Sequence, residues 1–126
     1  MGSQSKVRII ITLNKPDLDD QELERETEEF YEEMLNVNGL EQVKRVRDTT
    51  PLEGEKGGSF LPGLLEAEAE LANLKDASRD VHELSRRKAD ITIDNGTEKI
   101  TVKGNNPSSE DFSVKVEKAA QKVLSS

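Results

Sequence analysis

The chain has 126 residues, 33% of them hydrophobic, 3% aromatic and 35% charged, with a formal net charge of -8. That length suits one domain with a thin core, and 26 acidic against 18 basic side chains argue against two partners, nucleic acid bound nonspecifically and an anionic membrane surface, because both need a net basic footprint. The absence of cysteine removes disulfides, thiol nucleophiles and thiolate metal sites together.

In chain order, "MGSQS" (residues 1–5) reads as a disordered start or tag remnant, and residues 6–124 as a single domain. "KVRIIITL" alternates, with Val7, Ile9, Ile11 and Leu13 on one face, which predicts a buried strand. Asp19 with Glu22 forms a capping box for a helix whose stripe is Leu23, Phe30 and Met34, flanked by Tyr31 and Leu35 and ended by Asn38-Gly39. "LEQVKRVRDTT" spaces Val43 and Val46 three apart, the pattern of an edge strand with a bulge. From Leu64 to Arg87 a helical stripe runs through Ala67, Leu71, Leu74, Val81 and Leu84, as one helix or two. "ADITIDNGTEKITVKG" predicts strands over Ala89–Asp94 and Glu98–Lys103 around a tight Asn95-Gly96 turn with two positive-φ positions. Ser108 caps a closing helix, with Asp111 in its first turn and a stripe of Phe112, Val116, Ala119 and Val123. The expected fold is α+β in the order β-α-β-α-β-β-α, a single mixed sheet of about four strands with helices on one face.

The chain offers little catalytic material. His82 is the only histidine, and Asp80, two residues away on a helix, cannot orient it toward Ser78 as a triad requires. One histidine among scattered carboxylates lacks the clustered ligands of a zinc site, so His82 is expected on a surface or helix flank. The carboxylates of "DLDDQELERETEEFYEEM" read as a solvated face, and the basic clusters "KRVR" (Lys44 to Arg47) and "SRRK" (Ser85 to Lys88) as solvated ends of a strand and a helix. In "GEKGGS" Lys56 precedes the glycines and Ser59 follows them, the wrong order for a phosphate-binding loop. The expectation is no enzyme, no cofactor and no metal. No apolar run approaches the ~20 residues of a membrane-spanning helix, and the expected location is cytoplasmic.

The segments "VRIIITLNKPDLDDQELERETEEF", "EGEKGGSFLPGLLEAE" and "ADITIDNGTEKITVKG", together from about Val7 to Leu124, resemble the effector-associated constant component family of small bacterial proteins, its cyanobacterial members above all. The resemblance implies a non-enzymatic accessory subunit of a conflict or antiviral system. Its implied partners are caspase-like or trypsin-like peptidase effectors or regulatory NTPase-like proteins. The polar middle "ANLKDASRDVHELSRRK" departs from the hydrophobic helix expected there.

The densest apolar cluster, Phe60, Leu61, Leu64 and Leu65, follows Gly57 and Gly58 in "EGEKGGSFLPGLLE". These six residues are the candidate partner-binding segment, because loops carry binding and aromatic anchors dominate interfaces. A plug at one end of the core is the other reading of the same residues. At the level of function, the alternative to an adaptor is a small self-associating domain, a homodimer formed through an edge strand or hairpin.

Overall fold

The alternation in "KVRIIITL" places the centre of the molecule. In the computed structural model, which describes residues 6–48 and 59–125, strand β1 (Lys6–Leu13) buries Val7, Ile9, Ile11 and Leu13 and leaves Lys6 and Arg8 exposed on its other face. The remaining elements are α1 (Asp20–Met34), β2 (Glu41–Arg47), β3 (Phe60–Glu70), α2 (Leu71–Leu84), β4 (Ala89–Asp94), β5 (Lys99–Val102) and α3 (Ser109–Leu124). The strands form one sheet in the order β2-β3-β1-β4-β5, and every neighbouring pair is antiparallel. The fold is α+β, with α1, α2 and α3 contributing to a single core against the sheet. Among the described residues the sheet has five strands rather than about four, and it is antiparallel throughout rather than mixed.

The added strand lies where a helix was expected. In "LLEAEAE" Leu65, Ala67 and Ala69 are buried while Glu66, Glu68 and Glu70 are half-buried, a period of two. Alanine and glutamate favour helix intrinsically, but here each backbone group can pair on both sides. Val7 through Ile11 face Ala69 through Leu65 on one side, and β2 lies on the other. Pairing of that extent overrides a propensity of tenths of a kcal/mol per residue. Helix α2 is therefore one helix, begun only at Leu71. It buries Leu74, Ala77, Ser78, Val81 and His82, and Leu84 ends up 43% exposed.

The Asp19–Glu22 capping box forms in both directions, at 2.8 and 3.1 Å. Thr27, Phe30 and Met34 are the buried face of α1, whereas Leu35 is 51% exposed. The helix stops at Met34, before the expected cap. Asn38 and Gly39 instead occupy the centre of a turn closed by the Leu40 N–H on the Val37 carbonyl (3.3 Å). Gly39 has φ +97°, and a Cβ there would lie 3.1 Å from the Asn73 Cβ of α2, so both conformation and space call for glycine. Strand β2 is an edge strand with register shifts and a positive φ at Gln42, as its uneven valine spacing implied.

The β4–β5 hairpin is present with a different turn. Asp94 pairs with Lys99, so the connection has four residues, and only Gly96 has a positive φ. The Asn95 carboxamide oxygen accepts from the backbone of Thr97 (3.0 Å) and Glu98 (2.8 Å), doing locally what a tight turn's backbone would do. Ser108 caps α3 through the Asp111 N–H (3.1 Å), and Phe112, Val116, Ala119, Ala120 and Val123 are buried.

Candidate interaction site at the end of the β2–β3 hairpin

Of the six candidate residues, Gly57 and Gly58 lie outside the described residues. The backbone pairs on either side of that segment, the Asp48 N–H donating to the Ser59 carbonyl at 2.9 Å. Phe60 opens β3 and is 37% exposed. Its ring carries the Arg45 guanidinium at 4.9 Å and that of Arg47 at 5.5 Å, both within cation–π range.

Arg45 is not the solvated strand end expected of "KRVR". It is buried on the core side of β2, opposite Leu65, and its Nη atoms take Glu24 (2.9 and 2.6 Å) and Glu28 (2.7 Å) from α1. The hydrogen bonding that Arg45 donates to Glu24 does most to hold this guanidinium above its ordinary pKa, with the charges of Glu24 and Glu28 adding to it. Arg45, held in place by α1, thus lies against the Phe60 ring. Beside it is a shallow groove of about 400 Å³ lined by Tyr31, Lys44, Arg47 and Phe60.

Beyond Phe60 the chain divides the apolar cluster. Leu61 is half-buried. Gly63, at φ +84°, donates its N–H to the Thr27 hydroxyl (2.8 Å), which in turn donates to the Leu23 carbonyl (2.6 Å). This pin resets the alternation, so Leu65 enters the core at 1% exposure while Leu64, paired with Thr12, faces away from it. The four described residues therefore form no single patch. Leu65 is a core residue, Leu64 belongs to the helix-free face, and Phe60 with Leu61 remains at the hairpin end. The segment's alternating "LLEAEAE" carried a signal for this split. Arg45 and its α1 partners carried none, since contacts between residues 17 and 21 positions apart leave no local spacing.

Because Glu24 and Glu28 are 42% and 54% exposed at their side chains and Arg45 only 4%, the two halves of this cluster respond differently to substitution. Arg45→Met leaves two carboxylates that rehydrate, and is expected to cost less than about 1 kcal/mol. The double change Glu24→Gln/Glu28→Gln leaves a buried cation without a counter-charge, and is expected to cost about 1–3 kcal/mol. Urea denaturation of both variants checks the order; a costlier Arg45→Met refutes it.

His82 is fully buried, not on a surface or flank. Its Nε2 is 2.7 Å from the Gly104 carbonyl and so donates to it, Nδ1 is 2.7 Å from the Ser109 hydroxyl, and the ring stacks on Phe112 at 4.4 Å. Leu74, Ser78 and His82, spaced four apart, form one buried stripe that the sequence already displayed. Ser78 donates to the Lys75 carbonyl and Asp80 is exposed, so no triad assembles. Among the described residues no group of three or more His, Cys, Asp or Glu could hold a metal ion, and no helix is long and apolar enough to cross a membrane. In comparisons with known proteins, no family model, no curated protein and no solved structure matches the chain.

Proposed function

We propose that the protein is a non-enzymatic interaction module, an accessory or regulatory adaptor of a peptidase-type effector in a bacterial conflict or antiviral system, acting in the cytoplasm. The observation that carries this reading is Phe60, a large exposed aromatic at the start of β3 with two guanidinium groups over its ring. A pre-positioned aromatic beside arginines is the composition that dominates interface energetics. The engagement of both His82 nitrogens and of the Ser78 hydroxyl in structural hydrogen bonds supports a non-catalytic role. The effector class rests on the family resemblance alone.

Phe60→Ala tests the proposal. Its melting temperature is expected to stay close to that of the parent, and its affinity for a co-encoded peptidase-type protein to fall at least ~10-fold, about 1.4 kcal/mol. A large loss of stability with unchanged binding would make Phe60 a plug of the core end. A second reading, self-association, draws on β5, a four-residue strand at the sheet's edge. Light scattering separates the two, since a concentration-stable dimer favours pairing of copies.

A further inference from the structure

Two Asn-Gly pairs, Asn38-Gly39 and Asn95-Gly96, are exposed at their asparagines and stand in opposite surroundings. Asn-Gly is the pair in which a following backbone nitrogen reaches the side-chain carbonyl most easily, because glycine has no Cβ to obstruct it. Closure needs a carboxamide free to rotate and a following N–H free to leave its partner.

The second pair has neither freedom. The Asn95 carboxamide nitrogen donates to the Val123 carbonyl (3.1 Å), and its oxygen accepts from the Thr97 N–H (3.0 Å), the Thr97 hydroxyl (3.0 Å) and the Glu98 N–H (2.8 Å). The Gly96 N–H is itself given to the Asp94 carboxylate at 2.8 Å. The first pair is the reverse. Asn38 and Gly39 are the two central residues of the Val37–Leu40 turn, with Gly39 at φ +97°, the pattern of a type II turn. Among the described residues neither the Asn38 carboxamide nor the Gly39 N–H has a hydrogen-bond partner.

We propose that Asn38 is a site of spontaneous covalent modification, deamidation through a succinimide, and that the fold protects Asn95 from the same reaction. The Gly39 amide nitrogen, losing its proton to solvent base, bonds to the Asn38 Cγ. The Cγ–Nδ2 bond breaks, and the side-chain nitrogen leaves as ammonia after taking up a proton. Water then opens the ring at the Cγ carbonyl to give aspartate, or at the main-chain carbonyl to give isoaspartate. Either product adds a negative charge to the chain's -8. The isoaspartate also lengthens the main chain by one carbon at a turn whose Gly39 lies close against Asn73 and Ala77 of α2. The modified chain would present a substrate for enzymes that methylate isoaspartyl carboxylates.

The test is peptide mapping by mass spectrometry of the full chain held in mildly alkaline buffer, with isoaspartate scored by enzymatic methylation. Folded protein is expected to deamidate at Asn38 at least ~10-fold faster than at Asn95, a ratio worth about 1.4 kcal/mol. In concentrated urea the two rates are expected to converge. Equal rates in the folded chain, or a faster Asn95, overturn the proposal. So does a gap that persists unchanged in urea, because the difference would then belong to the flanking residues rather than to the fold.

Discussion

Replacing Phe112 with alanine is expected to remove about 3–5 kcal/mol of folding stability, the usual loss for a fully buried phenylalanine. The ring is fully buried in α3 and lies nearly parallel to His82, at 18° between planes. Its loss removes dispersion contacts from a core that contains few aromatic rings and leaves His82 beside a void. Since small domains retain only about 5–15 kcal/mol in total, the variant should unfold at a much lower denaturant concentration. A cycle with His82→Phe, which keeps a ring but gives up both hydrogen bonds, separates stacking from polar satisfaction. A Phe112→Ala loss below about 1 kcal/mol would refute the packing described for α3.

Gly104→Ala is the second severe change, and its cause is purely steric. A Cβ on Gly104 would lie 2.0 Å from the Ala89 carbonyl oxygen, inside any permissible contact. The backbone cannot retreat cheaply. Gly104 donates its N–H to Asp90 (2.9 Å) and accepts from His82 through its carbonyl (2.7 Å), so relief of the clash breaks bonds to a buried carboxylate and a buried imidazole. The expected loss is about 3 kcal/mol or more, at the upper end for overpacking. Gly96→Ala is the control. Nothing lies within 4 Å of its added Cβ, and the only penalty is φ +94°, about 1 kcal/mol. Thermal melts of the two variants should rank them in that order; Gly96→Ala as the more damaging change would refute the close approach at Gly104.

How far these features could be read from the residues depends on the range of the interactions behind them. The capping box at Asp19, the cap at Ser108, the buried faces of β1 and α3 and the irregular edge strand β2 all arise within a few residues, and the amino-acid order displays them. Strand β3 escaped because alanine and glutamate point locally to helix, and only neighbours on both sides make "LLEAEAE" a strand. The buried His82 depends on Gly104 and Ser109, 22 and 27 residues further on. At the candidate site, Phe60 was visible as an isolated aromatic beside glycines, while the arginine bed beneath it required α1 and β2 to meet. Leu65 was assigned to the same patch because apolar neighbours in sequence look alike until a pinned glycine separates their faces.

The position of β1 in the sheet has a consequence for synthesis. β1 lies between β3 and β4, yet it leaves the ribosome before both. From Leu13 to Asp94 is a span of 81 residues, which takes about 4–16 s at ordinary rates of chain growth. During that interval "VRIIITL", the most apolar strand of the chain, has at best one of its two neighbours. Its protection then falls to chaperones or to the flanking charges of Lys6, Arg8 and the acidic α1. The nascent chain is exposed to aggregation until the second neighbour arrives, and emergence of β4, rather than of any helix, ends that exposure.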